Sequence, residues 1–206
     1  MAAHERYVGS IDKSYFNSEN KNSIKKMSNY LRMGITYYKK NNQKIKIFNI
    51  GTPKSKGDSL APIVGSKLLE YNLDVEIIGD LNNPVHAKNI EEKIRDNISE
   101  NDFVIAVDAC LGVLNHIGYI TIAQGQMSPG TGVNKQLPNI GDISIAGITN
   151  VDSGNKEINF FNLYNSDLFM IDKMAEIIAE SLYNAITEVK NPLLNEANQL
   201  AEKVFA

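Results

Sequence analysis

The chain has little of what marks several common protein classes. It carries one cysteine, Cys110, and no tryptophan in 206 residues. A single thiol excludes a disulfide framework and suits a reducing compartment. No window approaches the roughly 18 consecutive apolar residues of a membrane-spanning helix, so no membrane partner is expected. The first residues, MAAHERYVGSIDKSYF, include Glu5 and Asp12 and no apolar core, which is not the pattern of a secretory signal. The expected location is cytoplasmic. The formal net charge is -3 and lysines alternate with acids, so no basic stripe forms and no nucleic-acid partner is expected. No serine sits in a G-x-S-x-G elbow, and the chain has no internal repeat or low-complexity segment.

What remains is ordinary globular material, with 43% hydrophobic and 22% charged residues. The length fits one domain, 1–206, with a polar N-terminal arm over 1–21. Residues 22–40 place Ile24, Met27, Leu31 and Ile35 at helical spacing. A near-continuous apolar strand covers 45–50, as in parallel sheets. A helix is predicted over 59–71 with Asp58 as its N-cap and Pro62 in its first turn. A strand follows at 73–79. A helix then runs from Pro84 to about Ile98, with Val85, Ile90, Ile94 and Ile98 as its apolar row.

A third strand covers 102–108. Eight residues, Ala109 to His116, separate it from the apolar run 117–123. That is too short for a parallel crossover, so the fourth strand should run antiparallel. Residues 124–141 read as a glycine- and proline-rich loop, and 142–149 as a fifth strand. After a polar turn, 165–167 cap a long helix to about Glu188, with Leu168, Ile171, Ala175, Ile178 and Leu182 inward. A short helix is expected from Pro192 to Phe205. The expected fold is α/β: three layers, α/β/α, around a five-stranded mixed sheet with one antiparallel strand.

Two aspartates stand out. Asp58 ends the glycine loop Gly51–Gly57, where open α/β sheets build their sites. By itself it reads as a helix cap; the other reading is a catalytic carboxylate or metal ligand. The loop is not a nucleotide cradle, because Asp58 stands where a phosphate loop needs lysine. Asp108 is at the end of the buried run FVIAVDA, where an ionised carboxylate needs a partner or a function. If the strands leading to them are parallel neighbours, both emerge at one edge. Close carboxylates share a proton and divide acid and base roles; alternatively they hold a divalent metal.

His86 and His116 fall near the same edge and are the accessory or metal-ligand candidates, each with an equally plain reading as a surface or loop residue. Cys110 reads as core packing, since no histidine is placed as its base. Gly130 and Gly132, in SPGTGVNK, allow N–H groups to converge on an oxyanion or substrate, and Lys135 would add charge. An ordinary glycine-rich connection fits as well.

The segments GTPKSKGDSLAPIVG, DFVIAVDAC and SPGTGVNKQLPNIGDISIAGITNVD together resemble the sporulation proteins of the YyaC type. These are small relatives of the spore germination protease, in the fold group of the hydrogenase maturation proteases. The resemblance spans roughly Ile45 to Asp152. It implies a three-layer α/β fold with one antiparallel strand, and an aspartic-type peptidase with Asp58 and Asp108 catalytic. It also implies a protein or peptide substrate, such as small acid-soluble spore proteins, and a forespore or spore interior location.

The maturation proteases bind metal through a carboxylate, an Asp and a His. Asp58 and Asp108 match the first two, and His86 or His116 stands for the third. No cofactor is expected; a divalent metal and a homo-oligomer stay open. The chain is shorter than the germination protease and has no evident propeptide. The alternative function is therefore a non-catalytic spore binding or assembly protein that retains the fold.

Overall fold

The structure, a computed structural model, describes residues 13–129 and 137–191. Six strands form one sheet. They are β1 (Ser14–Asn17), β2 (Lys44–Asn49), β3 (Glu76–Ile78), β4 (Asp102–Gly112), β5 (Tyr119–Gln124) and β6 (Ile143–Val151). The helices are α1 (Ser23–Tyr38), α2 (Leu60–Glu70), α3 (Ile90–Asn97), α4 (Lys156–Tyr164) and α5 (Leu168–Lys190). The sheet order is β1-β5-β6-β4-β2-β3. β5 pairs antiparallel with both β1 and β6, while β6, β4, β2 and β3 run parallel. One strand is therefore antiparallel, as the short connection requires.

The expected five strands become six. Residues 14–17, assigned to a polar arm, pair with β5 from Ser14↔Ile122 to Asn17↔Tyr119. Four residues give too little alternation to read as a strand; the waiting edge of β5 organises them. β5 also does not neighbour β4, because β6 inserts between them.

The strands separate two apolar layers by alternation. Ile45 and Ile47 of β2 join Phe103, Ile105 and Val107 of β4 against α1, α2 and α5. Phe48 and Ile50 join Val104 and Ala106 on the opposite face, where Ile90 of α3 closes a smaller cluster. Each fully buried side chain of this kind contributes about 1.5–3 kcal/mol. Met27, Leu31 and Ile35 of α1 and Ile171, Ala175, Ile178 and Leu182 of α5 are buried as their spacing predicts. Leu168 is not; it begins α5 half-exposed.

Two helix starts differ from expectation. The 84–98 helix begins only at Ile90. Val85 instead makes a parallel bridge to Ile50, and Asn89 Nδ2 donates to Pro84 O, closing a turn ahead of the helix. Asp58 is not the cap of α2. It lies inside a 3-10 turn, Gly57–Ser59, and the position before Leu60 is Ser59, which makes no side-chain cap bond. α4 lies within the stretch read as a polar turn. The predicted helix at 192–205 lies outside the described residues.

Candidate active site

The site is at the carboxyl edge of the parallel strands. β2 and β4 are in-register neighbours up to Asn49↔Val107, so whatever follows each strand emerges beside the other. Beyond β2 the chain turns at Gly51, whose N–H donates to Val85 O at 2.7 Å. It then folds back until Thr52 N–H donates to Asp58 O at 3.0 Å. This closure is possible only without a side chain at Gly51. A Cβ there would lie 2.0 Å from Asp58 O and 2.9 Å from Pro62 Cδ. The glycine loop is thus a device that holds Asp58 over the strand exit.

The turn is braced from outside. A Cβ at Gly57 would lie 2.9 Å from both Cδ2 and the carbonyl oxygen of Leu163, so α4 rests directly on it. Ser59 Oγ donates to Lys56 O at 2.6 Å. Asp58 is partly buried. Burial pushes its carboxyl above the usual range, and a hydrogen bond from Ser55 opposes this. Ser55 is itself buried; sequence reasoning missed it, and nothing in the loop's spacing distinguishes it from Ser59.

Asp108 is opposite Ala146 in the β4–β6 register. Rather than ending a strand at 108, β4 runs on to Gly112, with a register shift between Cys110 and Leu111. Asp108 Oδ1 accepts the N–H of Ala109 at 2.7 Å. Burial drives the carboxyl well above its ordinary range; the Ala109 bond works against this, and the Asp58 charge adds to it. The two carboxylates are thus electrostatically coupled. The fold brings both residues to the exits of neighbouring strands, and burial raises both carboxyls above their ordinary range.

Cys110 faces the same side as Asp108, two residues on. Burial and the Asp108 charge push its thiol up to about 11, which leaves it protonated and unsuited to nucleophilic attack near neutral pH. His86 follows the Val85 bridge and so is near the edge. Its backbone N–H donates to Asn89 Oδ1, and its Nδ1 accepts from Lys88 N at 3.4 Å. His116 belongs to a 3-10 turn, Leu114–His116, with ring centroids 5.0 Å from Tyr15 and 5.3 Å from Tyr119. Its surroundings are those of aromatic packing. Gly130, Gly132 and Lys135 lie outside the described residues.

Among the described residues, no three of His, Cys, Asp and Glu converge as metal ligands. The donor set offered to an ion is the two aspartates, short of the three protein ligands of a typical catalytic zinc site. The histidine completion suggested for Asp58 and Asp108 is not assembled here, and the chemistry below uses the carboxylates alone. No helix among the described residues is long and apolar enough to cross a membrane.

A family model described as "Protein of unknown function (DUF1256)" matches residues 15–181, which include both aspartates. "Uncharacterized protein YyaC" of Bacillus subtilis (strain 168) is 43% identical over 164 residues, 78% of this chain and 78% of that protein. A crystal structure of the [NiFe] hydrogenase maturation protease HycI from Thermococcus kodakarensis KOD1 aligns with 17% identity and a TM-score of 0.48. The alignment covers 71% of this chain and 94% of that one.

Proposed function

The chain belongs to the DUF1256 family, and on that premise we propose that it is a peptide-bond hydrolase of the germination-protease type, acting inside sporulating cells. The observation that carries the reading is the pair Asp58–Asp108 at the exits of the neighbouring parallel strands β2 and β4, with burial raising both carboxyls. Two carboxylates whose surroundings push their proton affinities apart divide naturally into acid and base. In this proposal Asp108, the more deeply buried of the two, holds the shared proton and Asp58 is the ionised base.

In the proposed cycle, water stands between the pair and the scissile carbonyl. Asp58 takes a proton from the water as its oxygen bonds to the carbonyl carbon, and Asp108 gives its proton to the carbonyl oxygen. Asp58 then passes its proton to the amide nitrogen, the C–N bond breaks, and a hydroxyl proton of the intermediate returns to Asp108. The pair ends as it began. General acid–base catalysis of this kind contributes roughly 10²–10⁴-fold per positioned group. The proposed substrates are flexible polypeptides such as small acid-soluble spore proteins.

The test is incubation of the purified chain with such proteins, following fragments by mass spectrometry. Cleavage should occur, should be indifferent to a chelator, and should disappear in both Asp58→Asn and Asp108→Asn while circular dichroism stays native. Cleavage retained by both variants sinks the mechanism, and cleavage lost to chelator replaces it with a metal-assisted one. A second reading, a non-catalytic binding or assembly protein of the spore, draws support from the aromatic side chains that α4 turns to solvent. A wild-type chain that binds spore proteins without ever cutting them decides for that reading.

A further inference from the structure

Helix α4 is built inside out. Its inward side is polar apart from Leu163, which rests on Gly57: Asn159 Nδ2 donates to Asp152 Oδ1 at 2.7 Å, and its Oδ1 accepts from Ser153 N–H at 2.8 Å. Asn162 Nδ2 donates to Val151 O at 2.9 Å, while Asn162 O accepts from Asn150 Nδ2. Its outward side is apolar. Ile158, Phe160, Phe161 and Tyr164 are exposed, and the surface continues into Leu168 and Phe169 at the start of α5. Exposure reaches 62% at Phe160, 64% at Phe161 and 82% at Phe169. A helix at a domain surface normally does the reverse, with apolar residues inward and polar residues out.

Scaling about 150–250 Å² for each aromatic side chain by its exposed fraction, and adding about half of Ile158 and of Leu168, the face offers roughly 600–800 Å² of apolar surface. That is above the ~300–600 Å² of the largest patch on a typical monomer. It approaches the ~800 Å² that each partner buries in a standard interface.

We propose that this face is the contact between two copies of the chain, with α4 packing on α4 of the second copy about a two-fold axis. The area is what a stable dimer needs. An aromatic face of this kind, with Asn165 and Asp167 between its two parts, can be complementary to itself, as a two-fold interface requires. Its flanking charges, Lys156 and Glu157, are of opposite sign, and the net charge of -3 adds little repulsion between copies. α4 is also the element that rests on Gly57, beside Asp58. The dimer contact and the carboxylate turn are therefore opposite sides of one helix.

The experiment is sedimentation equilibrium on the full chain. Wild type should be dimeric, and Phe160→Glu and Phe161→Glu should weaken association at least tenfold with an unchanged circular dichroism spectrum. Tyr37→Glu, on the outer face of α1 where the residue is 61% exposed, should leave the dimer intact. Folded wild type that is monomeric at about 100 μM, a concentration that populates any dimer of micromolar Kd, overturns the inference. So does a folded Phe161→Glu chain that stays dimeric, or monomeric wild type that uses Phe161 to hold an apolar peptide. Mass and cleavage are separate readouts. A dimer that cuts nothing upholds this contact and sinks the peptidase; a monomer that cuts does the opposite.

Discussion

Gly51 and Asp108 show what single residues do here. At Gly51 any side chain would occupy the space of the Asp58 carbonyl, 2.0 Å away. Gly51→Ala should therefore destabilise the fold by about 1–3 kcal/mol, as overpacked sites do. It should also reduce cleavage by more than the unfolded fraction explains, because the clash displaces Asp58 itself. Urea titration beside a turnover assay separates the two effects. Asp108 has a linkage of definite sign. Its carboxyl is raised in the fold, so its favourable contribution is fully present below the unfolded value near 3.8 and is lost as pH rises through the folded value. Asp108→Asn removes that loss. Its melting temperature should exceed wild type at pH 7, and the advantage should vanish toward pH 3.5; no advantage at pH 7 would contradict the burial argument.

Elements differ in how openly their sequences declare them. α1 and α5 were legible because the apolar residues that recur at three and four turn inward, Leu168 excepted. α5 also has its start marked: Asp167 caps it, Oδ1 accepting Phe169 N–H at 2.8 Å and Met170 N–H at 3.3 Å. Asp167→Ala should lower stability by about 1 kcal/mol in urea unfolding, with no effect on the carboxylate pair. α4 was illegible for the opposite reason. Its aromatic residues face water and its asparagines face the protein, so the usual signature of a helix is inverted. The turn Pro84–Asn89 was misread as helix because Val85 is buried, as a helical core residue would be; only the Ile50 bridge shows that it completes the sheet edge. β1 declares nothing in four residues and exists because β5 offers an edge.

The whole molecule is a sheet with its two ends given different work. At the amino edge, Lys46 ties three strands and a helix. It pairs with Glu76 at 2.8 Å and Asp102 at 3.2 Å and donates to Asn97 O. Burial works against the Asp102 charge, yet Ser99 and Lys46 together hold its carboxyl below the usual range. Lys46→Met leaves Asp102 buried without its cation and should cost about 3 kcal/mol, measured by denaturant unfolding at pH 7. The penalty should shrink as pH falls and Asp102 is protonated. At the carboxyl edge the same burial is left largely uncompensated around Asp58 and Asp108. One edge carries a carboxylate held low by its partners, the other two carboxyls raised by burial.

The sequence alone determined the class of fold and the direction of every strand it identified, and it singled out the two aspartates as candidates. Each follows from local physics: unbroken apolar runs mark buried parallel strands, a short connection forbids a crossover, and a carboxylate after such a run needs a partner or a function. Tertiary structure decided what depends on neighbours far along the chain. It inserted β6 between β4 and β5, added β1 to the edge, kept His86 and His116 from joining the carboxylates as metal ligands, and turned α4 inside out. It also revealed why Gly51 must be glycine, since the atom that forbids a side chain there is the carbonyl of Asp58, brought back by the loop itself.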